Sequence, residues 1–249
     1  MKTLLLLVLS MAAAARDATA QEDVQCVRDR AAMIETIKDY AQSRSPVLGQ
    51  QGFSERVLEA MRQTKRHLFM FERSCSVAYA DMPLPIGLGQ TISQPFIVAL
   101  MTQLAEVAPD HVVLEIGTGS GYLAALLAHK ADDVVSVEIE PRLKAFGESN
   151  LRRAGVHNVR VKLADGARGL GDDAPYDVIV ATGSLPLVPA SLTDQLAVGG
   201  RLAVITGEEP AMVAQIITRV SEDGFDTLNL FETRVKPLRN ADRPSSFRF

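Results

Sequence analysis

An α/β fold is predicted for this chain: a mostly parallel, doubly wound sheet with an antiparallel C-terminal strand pair and an N-terminal helical extension. Three observations carry the expectation. Beyond Pro109, short β-rich runs alternate with helical ones, the rhythm of parallel strands joined by crossover helices. The strand runs are almost continuously apolar, which suits a sheet buried on both faces. Beyond Ala211 the pattern changes to alternating segments separated by Ser221-Glu222-Asp223-Gly224, the composition of a hairpin turn.

Taken in order, residues 1–20 read MKTLLLLVLSMAAAARDATA, with Lys2, an apolar run from Leu4 to Ala15, and Ala18-Thr19-Ala20 before Gln21. That is the pattern of a secretory signal peptide with an A-x-A cleavage site. The apolar run is too short to span a bilayer, which takes about 20 residues, and no membrane segment is expected in the mature chain. Residues 21–110 are read as an N-terminal helical region. Between Met33 and Lys65 it holds two short amphipathic helices around a break at Ser45-Pro46 and Gly49, with Val57, Leu58 and Met61 apolar.

The stretch LPIGLGQTISQP, residues 84–95, carries no charge and reads as a loop. Ser93 followed by Pro95 has the look of an N-cap with proline in the first turn, opening a helix to about Val107. Residues 111–249 form the core. Its strands are HVVLEIG, VVSVEIE, NVRVKLADG, PYDVIVATG and RLAVITG, with helices at SGYLAALLAHKA, PRLKAFGESNLRRAG and ASLTDQLAVGG.

Composition narrows the function. With 249 residues, 47% hydrophobic and 22% charged, the chain can bury a full core. A net charge of -4 gives no basic footprint, so nucleic acid is not a partner. The four histidines are scattered without a second ligand at metal-site spacing, and no metal is expected. Cys26 and Cys75 can pair in an oxidising compartment, although two unrelated thiols is the favoured reading. A monomer is expected.

The strand HVVLEIG runs into Gly117, Gly119 and Gly121 before a helix. Glycines there let the backbone turn sharply and let a ligand approach the peptide groups. One strand later comes Glu138, 21 positions after Gly117, where a carboxylate can accept both ribose hydroxyls. The spacing is G-x-G-x-G, whereas the dinucleotide pattern sets its third glycine one position later. This shorter turn suits a nucleoside without a pyrophosphate.

VLEIGTGSGY, VVSVEIEP and LADG resemble the motifs of class I S-adenosylmethionine-dependent methyltransferases, whose core is a Rossmann-like sheet. Within that superfamily, LPIGLGQTISQP resembles the distinguishing segment of the protein-L-isoaspartate O-methyltransferase family almost residue for residue. The resemblance runs from about Met33 to Leu238. It implies that S-adenosyl-L-methionine is the cofactor, with Glu115, Gly117, Gly119 and Gly121 along its methionine part, Glu138 on the ribose, and Asp165 with Gly166 on the adenine. It implies further that Thr91, Ile92 and Ser93 wall off the sulfonium from the substrate, with Ser93 as the active-site hydroxyl. The implied reaction is esterification of an isoaspartyl α-carboxylate in damaged proteins, a repair step whose ester collapses to a succinimide.

Other readings stand beside these. Ser93 can be only a helix cap, Asp165 an ordinary turn acid, Glu115 a buried strand acid, Glu140 a first-turn acid, and His67 a structural residue. The turns ATGSLP and VITG depart from the family's alanine-rich and proline-valine-glycine turns. They leave open a methyltransferase for another carboxylate, or a non-catalytic binding protein of the same fold. Cofactor supply places the chain in the cytoplasm, with Met33 as the working start; the alternative is a periplasmic or secreted protein using the leader.

Overall fold

The computed structural model describes residues 24–43, 52–72 and 74–241. The leader, the break at Ser45-Pro46 and Gly49, and the terminal RPSSFRF lie outside the described residues. The first helix, α1, occupies residues 24–43, so it begins ahead of the expected Met33. Its buried residues Cys26, Met33, Ile34, Ile37 and Ala41 recur at helical spacing and form one apolar stripe. A second helix, α2 (Glu55–Gln63), buries Val57, Leu58, Ala60 and Met61. A 3₁₀ turn (Arg66–Phe69) and the one-turn helix α3 (Cys75–Ala78) follow.

The segment expected as a loop is a small antiparallel hairpin, β1 (Leu84–Gly87) and β2 (Gln90–Ile92), with Leu84 opposite Ile92. Leu84 and Ile86 are buried while Pro85 and Gly87 are exposed, a period-two pattern too short to stand out from a loop. Leu88 (φ 54) and Gly89 (φ 73) supply the left-handed turn that matches strand twist. Helix α4 (Pro95–Ala105) comes next and ends at Glu106 in the left-handed conformation.

The core alternates β3 (Val113–Ile116), α5 (Tyr122–Ala128), β4 (Val134–Glu138), α6 (Pro141–Arg153) and β5 (Val159–Leu163). Then come β6 (Tyr176–Leu185), α7 (Ala190–Thr193), β7 (Leu196–Glu208), β8 (Ala211–Arg219) and β9 (Phe225–Glu232). The sheet order is β5-β4-β3-β6-β7-β8-β9, seven strands, the first five parallel and β8 and β9 antiparallel as expected. Val220 N donates to Gly224 O at 2.9 Å across the expected hairpin turn.

Side chains alternate across this sheet because successive Cβ atoms point to opposite faces. Val113, Val134, Val178 and Ala203 join the helical region's core on one face, while Leu114, Val135, Ile179 and Leu202 pack together on the other. Every residue of β3 and β4 is buried, which is why their sequences are mostly apolar, with Glu115, Ser136 and Glu138 as buried polar exceptions.

Two expectations need correction here. The run ASLTDQLAVGG is helical only over Ala190–Thr193; Leu196 is fully buried and already opposite Tyr176 in the sheet, so β7 takes the rest. Cross-sheet pairing and burial override a helical composition. Cys26 and Cys75, read as unrelated thiols, are joined as a disulfide with Cα atoms 4.9 Å apart. The stripe of α1 lays Cys26 against α3, a tertiary contact that no local pattern announces. His67 sits beside the pair, one of its ring nitrogens and the two sulfurs lying within 4.8 Å of one another. The sulfurs are bonded to each other, so the trio is a staple with an imidazole packed on it.

The bridged residues are 49 apart in sequence. Closing such a loop in the unfolded chain stabilises the fold by about 4 kcal/mol in the chain-entropy estimate, with about 2 to 4 kcal/mol typical of measured bridges. Reductant, or Cys26→Ser, is therefore expected to lower the unfolding midpoint in a denaturant titration. Identical midpoints with and without reductant would refute the pairing.

Candidate functional site

A cavity of about 1130 Å³ opens at the carboxyl ends of β3, β4 and β6. From β3 the chain moves outward through β4 and β5, then returns to β6 on the other side of β3. The helices after neighbouring strands part at such a reversal and leave a crevice for a ligand. Of the ten site residues expected from sequence, nine line this one cavity: Thr91, Ile92, Ser93, Glu115, Gly117, Gly119, Glu138, Asp165 and Gly166.

Gly121 is the exception. It stands at the N-cap of α5 with φ 83, and a Cβ there would meet Leu151 Cγ at 3.1 Å and Gly147 O at 3.2 Å. Its small size lets α6 pack against the turn, so it supports the site from behind. Gly117 is different: it lines the cavity at φ 94, and a Cβ would lie 2.4 Å from Thr182 Oγ1. Thr182 Oγ1 in turn lies 2.9 Å from both Ile116 O and Gly117 O, fixing the path of the turn.

Two acids are held in contrasting ways. Glu138 accepts from Gly119 N at 2.8 Å through Oε2 and from Glu140 N at 3.0 Å through Oε1. Its carboxylate is pinned by two backbone amides, one to each oxygen, with lone pairs left over for a diol. Glu115 is fully buried, with Oε2 accepting from Ser136 Oγ, which also meets Thr118 Oγ1. Its Oε1 has no hydrogen-bond partner among the described residues.

Burial pushes the Glu115 carboxyl up to about 8, the Ser136 hydrogen bond opposes this, and the nearby Glu138 charge adds to it. A raised acid binds a proton in the native state that the unfolded chain has already lost. Its contribution to stability is therefore complete below the ordinary value of 4.5 and fades as pH rises through about 8. Between pH 5 and 8 the ligand-free protein is expected to lose stability that Glu115→Gln does not lose. Parallel pH profiles of the two melting temperatures would overturn this.

Asp165 caps the 3₁₀ turn Gly166–Arg168 by accepting from Ala167 N at 3.1 Å, which is the turn-acid reading, and it also lines the cavity. The two readings coexist. Its other oxygen accepts from Asn240 Nδ2 at 3.1 Å. Glu140 is the N-cap of α6, as first-turn chemistry suggests. His67 is buried and its Nδ1 lies 3.0 Å from Tyr79 Oη, a structural role.

Ser93 is not a helix cap. The N-cap of α4 is Gln94, with Pro95 as first helical residue, and the N–H of Phe96 is bonded by the side chain of Asp81 at 2.9 Å. A carboxylate from outside the helix takes the role a local serine would fill. The Ser93 hydroxyl consequently lines the cavity with no hydrogen-bond partner among the described residues.

Sequence reasoning singled out the turn ATGSLP without assigning Thr182 a role, and missed the segment 234–241. That segment runs along the end of β6, with Ser184 N donating to Lys236 O at 3.0 Å and Leu238 N donating to Ser184 O at 2.9 Å. Arg239 then bonds Glu140 Oε2 at 3.3 Å and Leu88 O at 3.1 Å. It ties the β1–β2 turn to the start of α6 across the cavity mouth. Nothing in RVKPLRN signals this, since its partners here are Ser184, Glu140, Leu88 and Asp165, the farthest 151 residues away.

A crevice at the switch point, a pinned acid ending the second core strand, and a glycine turn with no lysine or arginine at it define a nucleoside-binding site of the class I methyltransferase type. The protein-L-isoaspartate(D-aspartate) O-methyltransferase family profile matches residues 46–241. The chain belongs to that family. It is 47% identical over 199 residues to a protein-L-isoaspartate O-methyltransferase of Methanoculleus marisnigri, covering 80% of this chain and 86% of that one. It is likewise 47% identical over 183 residues to protein-L-isoaspartate O-methyltransferase 1 of Syntrophobacter fumaroxidans, covering 74% and 85%. A solved protein-L-isoaspartate O-methyltransferase superposes with a TM-score of 0.72 at 27% identity, over 84% of this chain and 65% of that chain. A Plasmodium falciparum structure described as a putative member in complex with S-adenosyl-L-homocysteine shares the fold at TM-score 0.68 and 22% identity, over 84% and 97%.

Proposed function

We propose that this cavity holds S-adenosyl-L-methionine beside the α-carboxylate of an L-isoaspartyl residue in a damaged protein, and that the chain is the repair methyltransferase that esterifies it. The observation that carries the reading is the uncharged wall Thr91-Ile92-Ser93 set in one cavity with Glu115, Gly117 and Glu138. The residues present fit the cofactor. A buried, unpartnered carboxyl oxygen on Glu115 suits its ammonium, Glu138 its ribose, and Asp165 with Gly166 its adenine.

When bound, S-adenosyl-L-methionine supplies an electrophilic methyl group on a sulfonium. The chain's own part is small because the nucleophile is a carboxylate with a pKa near about 4, ionised at neutral pH without a general base. Ser93 donates to one carboxylate oxygen and leaves the other free to attack. Uncharged donors replace water around an anion whose charge disappears as the bond forms, whereas a fixed cation would stabilise the ground state more than the transition state. No catalytic histidine or acid pair is needed.

The deciding experiment offers methyl-labelled S-adenosyl-L-methionine with matched isoaspartyl and aspartyl peptides. Label is expected in the isoaspartyl peptide alone. Label in neither, with cofactor bound, would refute the substrate and favour another carboxylate. That second reading draws support from Thr182, Gly207 and Glu208, which bring the atypical turns to the cavity.

Among the described residues no helix is long and apolar enough to cross a membrane. The Cys26–Cys75 bridge favours the exported alternative over the cytoplasm, since bridges persist where the surroundings are oxidising. Gln21 as the first residue of the native protein would establish export.

A further inference from the structure

We propose that Asp81 is a positioning residue for the reaction, holding the Ser93 hydroxyl in place through the first turn of α4. Its two carboxylate oxygens divide the work: Oδ1 accepts from Phe96 N and Oδ2 from Gln94 Nε2, both at 2.9 Å. Ser93 lies between two fixed neighbours. Ile92 is buried and paired with Leu84 in the hairpin, and Gln94 is held by Asp81 through both its side chain and the helix it caps. The backbone at Ser93 is therefore set from both sides, although its own hydroxyl is bonded to neither.

The arrangement separates two duties that one serine cannot perform at once. A hydroxyl oxygen that accepts from a helix N–H is turned toward the helix, and its proton is then aimed by the cap rather than by an incoming anion. With Asp81 accepting that N–H, the Ser93 hydroxyl stays free to donate. The charge brought in by Asp81 is opposed by Arg66, whose fully buried guanidinium donates from Nε to Ala78 O at 2.8 Å and is coupled electrostatically to Asp81. This reduces the repulsion an arriving carboxylate would meet. Asp81 and Gln94 thus form a bonded support beneath the substrate wall, and Asp81 itself does not line the cavity.

The proposal rests on the reading of Ser93 as the substrate's hydroxyl donor, so Ser93→Ala is assayed beside the Asp81 variants. Asp81→Ala is expected to lower kcat per folded molecule at least tenfold with an isoaspartyl peptide, while the cofactor Kd shifts less than twofold. Asp81→Asn, which still accepts an amide hydrogen, is expected to recover most of the loss. Gln94→Met, which leaves the Phe96 bond intact, is expected to reduce kcat severalfold at an unchanged melting temperature, and it decides the matter if Asp81→Ala does not fold. A folded Asp81→Ala with kcat within twofold of the parent overturns the proposal, as does a Gln94→Met indistinguishable from it. If Ser93→Ala keeps full turnover, the Ser93 reading and this proposal fall together, whereas a Ser93→Ala loss with Asp81→Ala at parental kcat overturns the proposal alone.

Discussion

Replacing Gly117 by valine is expected to weaken S-adenosyl-L-methionine binding by about a hundredfold or more while leaving the sheet folded. The backbone at Gly117 has φ 94, where a β-branched residue is a strong outlier. A Cβ would also stand 2.4 Å from Thr182 Oγ1, and that oxygen cannot retreat without leaving Ile116 O and Gly117 O. Dihedral strain and overpacking together cost about 3 kcal/mol, roughly two decades in an equilibrium constant. Relief comes by moving the turn, which also carries Gly119 N away from Glu138. Gly155 supplies the control: it has φ 74 with nothing within 4 Å of a built Cβ, so Gly155→Ala costs strain alone. Calorimetric titration of both variants measures the difference, and equal cofactor affinities would show that the turn does not shape the binding site.

Ser93→Ala is expected to leave cofactor affinity and melting temperature near the parent's while turnover falls about tenfold to a hundredfold. The fall is that of a lost contact that aligns the attacking carboxylate oxygen with the methyl group. The unchanged stability follows from the local geometry, because the first turn of α4 is bonded by Asp81 and not by Ser93. A helix cap replaced by alanine would instead cost about 1 kcal/mol of stability. Single-turnover kinetics with saturating cofactor, run beside thermal unfolding, separates the two. Lower stability with intact turnover would return Ser93 to the role of a cap.

The strands of the core were legible because burial on both faces leaves mostly apolar runs, as in VVLEI and VVSVE, broken only by the buried Glu115, Ser136 and Glu138. The acid at Glu138 was legible by its distance from the glycine turn. The hairpin within LPIGLGQTI was not, since four residues with two prolines and glycines among their neighbours carry almost no periodic signal. Ser93 shows a different limit. Its sequence context is that of a cap, and only the approach of Asp81 from 15 positions before Phe96 moves that role elsewhere. Gly121, which the resemblance sets along the cofactor, packs closely against α6. Cys26 with Cys75, Thr182 with the glycine turn, and Asn240 with Asp165 are meetings of distant segments, and local pattern holds no record of them.

The segment 234–241 has a consequence for the order in which the molecule matures during synthesis. Every strand of the sheet precedes it, the last ending at Glu232. A nascent chain can therefore assemble its hydrophobic interior while the mouth between Leu88, Glu140 and Asp165 still lacks Arg239 and Asn240. The side chains that join the walls of the crevice follow every strand of the scaffold in the chain, so the mouth is closed by residues made after the sheet.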